Sequence, residues 1–299
     1  MKNLLSIEAL SAAEITEIVE LGVSLRKNRA ASPQILNGQC WALIFNKSST
    51  RTRVSFEVGI RELGGSVMFL SGADTQLGRG EPVKDTARVM GRMVHGAVIR
   101  TYAQADVEDF ARYSHLPTIN ALTDEEHPCQ ILADLQAMQE RLGGWKGKKV
   151  CFLGDGDCNV ARSWMWAAEK LGFELRVGAP KAFHPPDVWM SKLTSGNVKL
   201  EEDARKAVEG ADVVYTDVWV SMGKEEESIK RLQVLAPYQI NEQLMKHAAE
   251  GAIVMHCLPA YRGKEITDET LEKHADVIFH EAENRLHVQK AIICWMLRK

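Results

Sequence analysis

A cluster of hydroxyl and guanidinium side chains follows the first apolar run of the chain. Residues 40–45 are apolar, residues 48–53 read SSTRTR, and residues 54–58 then show the spacing of an amphipathic helix. The first turn of a helix offers unpaired N–H groups and a partial positive charge, and arginine adds bidentate hydrogen bonds to oxyanions. The segment therefore predicts a cradle for a phosphate dianion, although a capped helix with solvated charges fits the same residues.

Two other segments place a histidine and a cysteine close to the ends of predicted elements. HPCQ at residues 127–130 opens a long helical pattern, and HCLP at residues 256–259 follows an apolar run. Either segment alone is more typical of a structural turn, since a lone cysteine usually behaves as a small buried hydrophobe. The two segments together with SSTRTR indicate a functional site.

Short apolar runs that alternate with helical patterns must position these segments. Each run is short enough for a buried strand, and the segments between them repeat their apolar residues at helical spacing. This alternation predicts parallel sheets with helices on both faces, and hence an α/β fold. The predicted strands are residues 40–45, 66–70, 97–101, 150–153, 174–177, 213–216, 252–256 and 277–279. The predicted helices include residues 53–63, 85–93, 129–141, 161–171 and 202–209.

A cluster of glycine and lysine residues divides the chain near its middle. The helical pattern at residues 129–141 is followed by GGWKGK at residues 143–148, which breaks the helix before a new apolar run. Two doubly wound α/β domains would leave an interdomain cleft between them. We expect the active site in that cleft, because such folds bind ligands at the carboxyl ends of their strands.

Composition and charge exclude several classes of protein. The 299 residues include 37 Lys and Arg against 40 Asp and Glu, and the formal net charge of −3 argues against a nucleic-acid partner. With 45% apolar and 26% charged residues, the chain is typical of a folded globular protein. No run approaches the roughly 18 apolar residues that cross a bilayer, and no export signal is visible, so we expect no membrane partner.

The cysteines and glycines argue against several cofactor sites. The six cysteines are widely spaced and include no CxxC pair, which indicates neither a zinc site nor a disulfide framework and favours a cytoplasmic location. No HExxH helix and no DxDxDG loop occurs, so we expect neither a metal nor another cofactor. The glycine turn at residues 154–159 follows a predicted strand, but its spacing does not match the GxGxxG dinucleotide fingerprint.

Four ordered motifs closely resemble the aspartate/ornithine carbamoyltransferase superfamily, and the resemblance covers nearly the whole chain. The carbamoyl phosphate signature of that superfamily is STRTR, which stands here at residues 49–53. The ornithine branch typically carries HPCQ, DxxxSMG and HCLP, which stand here at residues 127–130, 217–223 and 256–259. The aspartate branch carries HPxQ and HPLP at two of these places and lacks SMG, so the resemblance argues against aspartate as the acceptor.

The resemblance implies which residues hold carbamoyl phosphate. Family members bind its phosphate through the STRT segment and through an arginine that matches Arg100. His127 and Gln130 match the groups at the carbamoyl end, where a donor to the carbonyl oxygen stabilises a tetrahedral intermediate. Arg285 matches a late arginine that reaches the same ligand, which requires the C-terminal helix to return to the first domain. The implied donor-binding residues are Ser49, Thr50, Arg51, Thr52, Gln76, Arg100, His127, Gln130, Cys257, Leu258 and Arg285.

The resemblance also implies the residues that hold L-ornithine. Asp217 can pair with the α-ammonium of an amino acid, and Ser221 with the backbone of Met222 resembles the ornithine-binding loop of the family. Family members usually carry two adjacent asparagines after the glycine turn, of which the second contacts ornithine. Asn159 matches that contact, whereas Cys158 stands in place of the first asparagine.

An assembly and a domain division follow from the same resemblance. Gln76 lies in a glycine-rich loop that family members contribute to the site of a neighbouring subunit, which implies a homotrimer. The implied carbamoyl phosphate-binding domain is residues 1–142, completed by a C-terminal helix at residues 285–299. The implied ornithine-binding domain is residues 148–284.

The expected reaction is attack of the neutral δ-amine of L-ornithine on the carbamoyl carbon of carbamoyl phosphate, which gives L-citrulline and phosphate. An alkylammonium with a pKa of about 10 must first lose its proton, so the site needs a group that favours the neutral amine. We expect Cys257 in this role, as a thiolate whose pKa Arg285 and the phosphate-site arginines lower. The catalytic residues of this hypothesis are Cys257, Arg100, His127 and Gln130.

Two alternatives stay open at this point. Another amine, such as putrescine or an acylated ornithine, could accept the carbamoyl group, although neither would pair an α-ammonium with Asp217. A non-catalytic protein that senses carbamoyl phosphate is the second alternative, although a sensor needs neither Cys257 nor the acceptor loop. The direction of the reaction in metabolism is also open, because one site catalyses both directions.

Overall fold

The computed structural model describes residues 2–72, 80–220 and 228–298 of the chain. The chain divides into two units, the first made of Met1–Gln136 with Glu283–Lys299 and the second of Ala137–Ala282. Each unit has its own parallel sheet flanked by helices, and this confirms the predicted α/β fold with two parallel-sheet domains.

The described elements alternate along the chain as the apolar runs predict. The strands are β1 (Cys40–Phe45), β2 (Ser66–Ser71), β3 (Gly96–Arg100), β4 (Thr118–Leu122), β5 (Lys149–Leu153), β6 (Glu174–Gly178), β7 (Val198–Glu201), β8 (Val213–Thr216) and β9 (Ile253–His256). The helices are α1 (Ala12–Lys27), α2 (Thr50–Glu62), α3 (Val83–Met90), α4 (Gln104–Ser114), α5 (Pro128–Leu142), α6 (Asn159–Leu171), α7 (Asp187–Met190), α8 (Ala204–Val208), α9 (Ser228–Leu235), α10 (Glu242–Met245), α11 (Asp268–Lys273) and α12 (Ala275–Leu297). Short 3-10 turns occupy Arg29–Ala31, Lys181–Phe183 and Ala236–Tyr238.

The sheet of the first unit has four parallel strands in the order β2-β1-β3-β4. Every residue of β3 and β4 is buried, as expected for a parallel sheet covered by helices. Strand β4 lies at the edge of the sheet, where the backbone of Leu4 pairs with it. One face packs Ile44 and Ile99 against Phe110 of α4. A Cβ atom on Gly96 would lie 2.5 Å from the Trp41 ring, so the buried indole requires glycine at that position.

The sheet of the second unit has five parallel strands in the order β7-β6-β5-β8-β9. Because β5 is flanked by β6 on one side and by β8 on the other, the connections leave β5 and β8 in opposite directions. Such a switch point opens a crevice at the carboxyl ends of the two strands. The segments that follow β5, β8 and β9 therefore lie at one edge of this sheet.

Two parts of the predicted element pattern are wrong, and each has a physical reason. Residues 277–279 form no strand but lie within α12, because a three-residue apolar run does not distinguish a strand from a buried helix. Strands β4 and β7 were not predicted from the sequence. Threonine and asparagine interrupt the apolar pattern of β4, and β7 is a four-residue edge strand with the sequence VKLE.

Among the described residues, no helix combines the length and the apolar content that a bilayer crossing needs.

Candidate active site

The SSTRTR segment forms the N-terminus of α2, directly after β1. Helix α2 begins at Thr50, and the hydroxyl of its N-cap residue Ser49 accepts a hydrogen bond from the backbone N–H of Thr52 at 3.3 Å. No acidic side chain occupies the first turn, so the partial positive charge of the helix end is not compensated locally. Thr50 is exposed and Arg51 is partly exposed, which leaves this end of the helix open to an anion.

Arg285 of α12 reaches this helix end within the first unit. Its side chain is 3% exposed and donates from one terminal nitrogen to Oε1 of Gln130 at 2.5 Å and from the other to Oγ1 of Thr52 at 3.0 Å. Among the described residues, its Nε atom has no hydrogen-bond partner. The guanidinium is thus held by two neutral acceptors and keeps its full charge and one N–H group for a ligand.

Three arginines surround a buried histidine beside the same helix end. Arg100 is the last residue of β3, and His127 directly precedes α5; both are 6% exposed. Burial holds the pKa of His127 well below its usual range, and the positive charges of Arg285, Arg100 and Arg51 lower that pKa further. His127 is therefore neutral near pH 7, and its ring can donate one N–H group without carrying charge.

Gln130 has a buried contact that the sequence analysis missed. Its Nε2 atom donates to Oδ1 of Asp134, one helical turn later in α5, at 2.7 Å. The spacing of four residues within a predicted helix is the signal that could have revealed this pair. Asp134 is fully buried, so the helix carries a carboxylate directly behind the site.

In the second unit, Asp217 and Cys257 meet at the carboxyl ends of β8 and β9. Oδ1 of Asp217 accepts hydrogen bonds from the Cys257 thiol at 2.9 Å and from the backbone N–H of Val218 at 2.7 Å. Burial raises the pKa of Asp217 above its usual value and outweighs the opposing effects of His256 and of the two hydrogen bonds. In this contact the Cys257 thiol is the donor, and its role as a thiolate stays a prediction.

A buried network fixes the turn that carries Cys257. The backbone N–H of Leu258 donates to Nδ1 of His256 at 2.9 Å, so the ring proton resides on Nε2, which lies 3.3 Å from Oε1 of Glu265. The backbone N–H of His256 donates to Oε2 of Glu281 at 3.0 Å. Leu258 has a positive φ of +56°. This backbone conformation costs a non-glycine residue about 1–3 kcal/mol, and residues that adopt it are found mainly at functional sites.

The glycine turn after β5 leads into α6 at the same edge of the second sheet. Cys158 is the N-cap of α6, and its sulfur accepts a hydrogen bond from the backbone N–H of Ala161 at 3.5 Å. The side-chain oxygen of an asparagine is a preferred acceptor at this N-cap position. Burial, with the charges of Asp217 and Asp155, raises the pKa of Cys158 well above the ordinary thiol value. The thiol stays protonated, and Asn159 occupies the first helical position directly after it.

A buried ion pair holds the glycine turn and the segment after β8 together. Arg231 of α9 pairs with Asp155 and donates from Nε to the backbone carbonyl of Trp219 at 2.8 Å. Gly154 has φ of +124°, and a Cβ atom there would lie 3.1 Å from the Trp219 indole nitrogen. The turn therefore requires glycine, and nothing in the sequence pattern indicated the role of Arg231.

Three of the expected site residues lie outside the described part of the chain. They are Gln76, Ser221 and Met222. Within residues 2–72, 80–220 and 228–298, no group of three or more His, Cys, Asp and Glu side chains is placed to hold a metal ion.

Comparison with protein families matches both parts of the chain. The family "Aspartate/ornithine carbamoyltransferase, carbamoyl-P binding domain" matches residues 2–140. The family "Aspartate/ornithine carbamoyltransferase, Asp/Orn binding domain" matches residues 146–296. Together the two matches span nearly all of the 299 residues.

Individual proteins are similar over the full length. A protein from Akkermansia muciniphila named ornithine carbamoyltransferase is 59% identical over 296 residues, which cover 98% of this chain and 97% of that protein. A protein of the same name from Campylobacter fetus is 47% identical over 308 residues, covering 100% and 99%. The crystal structure of anabolic ornithine carbamoyltransferase from Campylobacter jejuni has a TM-score of 0.93 at 43% identity and covers 99% of both chains. The ornithine carbamoyltransferase structure from Pyrococcus furiosus has a TM-score of 0.93 at 43% identity, covering 98% and 96%.

Proposed function

This chain belongs to the aspartate/ornithine carbamoyltransferase family, and we propose how its residues carry out the reaction of the ornithine branch. The enzyme transfers the carbamoyl group of carbamoyl phosphate to the δ-amine of L-ornithine and produces L-citrulline and phosphate. The observation that carries the site assignment is the contact of the buried Arg285 with both Gln130 and Thr52, which joins the C-terminal helix to the N-termini of α2 and α5.

The phosphate of the donor binds at the N-terminus of α2. The backbone N–H groups of its first turn and the hydroxyls of Ser49, Thr50 and Thr52 supply hydrogen bonds, while Arg51 and Arg100 supply charge. Two guanidinium groups neutralise a phosphate dianion, and their stabilisation increases as the leaving oxygen gains charge in the transition state. Leu258 and the loop of Gln76 complete the donor site in this proposal.

The carbonyl oxygen of the donor faces His127 and Arg285. A neutral imidazole N–H and the Nε–H of Arg285 can both donate to the oxyanion of a tetrahedral intermediate. His127 must be neutral in this role, because a positive charge on its ring would compete with the arginines for the phosphate. The amide of Gln130 contacts the nitrogen end of the carbamoyl group.

The acceptor binds to residues of the second unit. The carboxylate of Asp217 pairs with the α-ammonium of L-ornithine, and Asn159 at the start of α6 adds a hydrogen bond. Ser221 and the backbone of Met222 complete the acceptor loop in this proposal. Putrescine lacks the charged α-amino group that Asp217 selects, and in N-acetylornithine that group is a neutral amide.

Cys257 handles the proton of the δ-ammonium in this proposal. Before the acceptor binds, its thiol donates to the carboxylate of Asp217. When the α-ammonium of L-ornithine pairs with that carboxylate, the thiol leaves this contact and loses its proton to water. The resulting thiolate takes up the proton of the δ-ammonium and leaves the δ-amine neutral. The sulfur also orients the amine toward the carbamoyl carbon.

The chemical step then proceeds without a covalent enzyme intermediate. The nitrogen lone pair of the amine forms the new C–N bond, the C–O bond to phosphate breaks, and the leaving phosphate oxygen receives the electron pair. One proton of the attacking nitrogen passes to that phosphate oxygen. Loss of the proton gives the neutral ureido group of citrulline.

The proposal extends to the assembly and the location of the enzyme. We propose a cytoplasmic homotrimer in which the Gln76 loop of one subunit completes the site of the next. The absence of disulfides among the six cysteines, all within the described residues, supports a reducing compartment.

Citrulline formation by the purified enzyme tests the proposal. L-ornithine, putrescine, N-acetylornithine and aspartate should be assayed side by side with carbamoyl phosphate, and we expect rapid turnover with L-ornithine alone. Carbamoylation of another amine would contradict the Asp217 assignment but leave the donor site intact. Binding of carbamoyl phosphate without turnover of any acceptor would instead indicate a sensor.

A further inference from the structure

We propose that Glu281 is a positioning residue for Cys257: its buried carboxylate fixes the backbone at the end of β9 and so holds the thiol beside Asp217, where the acceptor binds. The inference rests on the proposed role of Cys257 and adds to it the residue that places the sulfur. Glu281 acts through the backbone of His256 and needs no contact with a substrate.

Strand β9 lies at the edge of the five-stranded sheet and pairs only with β8 among the described strands. The backbone N–H of Ile253 donates to the carbonyl of Asp212, which directly precedes β8, at 3.0 Å. Because backbone groups alternate in direction along a strand, the N–H of His256 points away from β8. An edge strand leaves its outward N–H groups without a strand partner. His256 is 1% exposed, so this N–H group needs a partner within the protein.

Glu281 of α12 supplies that partner. Its Oε2 atom accepts from the backbone N–H of His256 at 3.0 Å, and the residue is fully buried. A carboxylate accepts stronger hydrogen bonds than a neutral oxygen does, and burial strengthens them further. The end of β9 is thereby held on its outer side by a side chain rather than by another strand.

The second oxygen of the same carboxylate faces β8. The hydroxyl of Tyr215 donates to Oε1 of Glu281 at 3.5 Å. Tyr215 stands two residues before Asp217, and His256 directly precedes Cys257. Glu281 therefore contacts both strands just before the two residues that form the contact between thiol and carboxylate.

The position of the Cys257 sulfur depends on these backbone anchors. Its distance to Oδ1 of Asp217 is 2.9 Å, but a thiol is a weak donor, so this contact alone holds the strand end poorly. Misplacement of a reacting group by about 1 Å costs roughly 100-fold in rate. Loss of the Glu281 carboxylate should therefore lower turnover more than it weakens the binding of either substrate.

Three substitutions at Glu281 test this role. Glu281→Met keeps the approximate size without an oxygen acceptor, and we expect kcat to fall by about 10-fold to 100-fold. Glu281→Gln keeps an oxygen for the N–H of His256, so it should retain kcat within about fivefold of native. Glu281→Ala serves in case the methionine variant does not fold, because the smaller side chain leaves space for water beside the N–H group.

Two measurements separate the position of the sulfur from binding and folding. Phosphonoacetamide is a stable phosphonate that keeps the NH₂ group of the donor. Its affinity by titration calorimetry and the KM for L-ornithine should stay within about threefold of native. Alkylation of Cys257 by iodoacetamide, located by mass spectrometry, should become about threefold faster or more in Glu281→Met, because a thiol that leaves a carboxylate forms its thiolate more readily. Cys151 is fully buried in the same unit and should stay unmodified.

Asp212→Leu is a matched control in the second unit. Asp212 also holds a strand backbone through its carboxylate, since Oδ2 accepts from the N–H of Lys149 at 2.9 Å. It directly precedes β8, whereas Asp217 directly follows that strand. Its loss should lower the urea midpoint without changing kcat or the alkylation rate of Cys257.

The outcomes are distinct. A lower kcat at unchanged phosphonoacetamide affinity, with faster alkylation of Cys257 and rescue by Glu281→Gln, supports the inference. Native kcat and native alkylation in Glu281→Met and Glu281→Ala overturn it while the role of Cys257 stands. A parallel loss of kcat and phosphonoacetamide affinity, or modification of Cys151 as fast as Cys257, also overturns it and assigns Glu281 to the fold. Native turnover in Cys257→Ala contradicts the proposed role of Cys257 itself, and the inference falls with it.

Discussion

Replacement of Arg285 by methionine tests the core of the donor site. Methionine fills a similar volume, so the change removes the charge and the N–H groups while it largely preserves packing. The variant loses the hydrogen bonds to Gln130 and Thr52 and the Nε–H group that has no partner among the described residues. Two separable effects follow, one on the fold and one on donor binding.

The effect on the fold should be small. Two neutral acceptors lose a donor, which costs about 1–3 kcal/mol for a buried group left unsatisfied. Oγ1 of Thr52 still accepts from Ser49 at 2.9 Å, and His127 loses one of the three positive charges that lower its pKa. We therefore expect the free energy of unfolding to fall by no more than about 3 kcal/mol.

The effect on donor binding should be larger. The variant lacks one charge-assisted hydrogen bond of about 1.5–3 kcal/mol together with the long-range attraction of a buried cation for a dianion. A total of about 2–4 kcal/mol corresponds to a weakening of phosphonoacetamide binding by roughly 30-fold to 1000-fold. Titration calorimetry gives the affinity, and urea unfolding gives the stability in the same buffer.

Two results would refute this reasoning. Binding of phosphonoacetamide within threefold of native would show that Arg285 does not face the donor. A large loss of stability with a parallel loss of affinity would assign Arg285 to the fold alone. Arg26→Met on α1 is a matched control, since Arg26 contacts Glu283 near the surface and should leave phosphonoacetamide affinity unchanged.

Three further predictions concern turnover, pH dependence and the anchoring of α12. Cys257→Ala should lower kcat by about 100-fold or more while phosphonoacetamide affinity stays unchanged; native turnover in the variant would eliminate the proton-handling role. Burial holds the pKa of Asp217 above its usual value, so ionisation destabilises the folded state at neutral pH. Asp217→Asn should therefore raise the urea midpoint at pH 7, and the gain should disappear as the pH falls below the ordinary Asp value of 3.8, whereas an equal gain at all pH values would contradict the burial argument. Lys290 is fully buried and pairs with Glu62 at 2.6 Å, so Lys290→Met should lower the free energy of unfolding by about 1–3 kcal/mol and leave phosphonoacetamide affinity unchanged; a lost affinity at unchanged stability would place Lys290 in the site.

The sequence alone was sufficient for the fold class and for most of the elements. Strands β1 and β8 match the predicted residues at both ends, because a continuous apolar run between polar segments is what a strand buried on both faces requires. The family was equally visible, since its motifs are short and contiguous. Local structure that depends on neighbouring residues, such as the N-cap of α2, can be predicted from the spacing of residue types along the chain.

The interactions that support the site were not visible in the sequence. Gln130 and Arg285 are 155 positions apart, and the pairing of Arg231 with Asp155 joins positions that no local pattern relates. Glu265 contacts the His256 ring from the loop after β9, and no motif in the sequence related these two residues. The proton arrangement between Cys257 and Asp217 also depends on the side-by-side placement of β8 and β9.

The sequence and the tertiary structure determined different features because the interactions behind those features act over different ranges. Helix caps, apolar periodicity and turn glycines act within a few residues, so the sequence determined the elements and the family motifs. Burial and charge act through space, and only the tertiary structure decided that His127 is neutral among three arginines. The tertiary structure also decided the contacts of Gln130, because Asp134 follows it in α5 whereas Arg285 comes from α12.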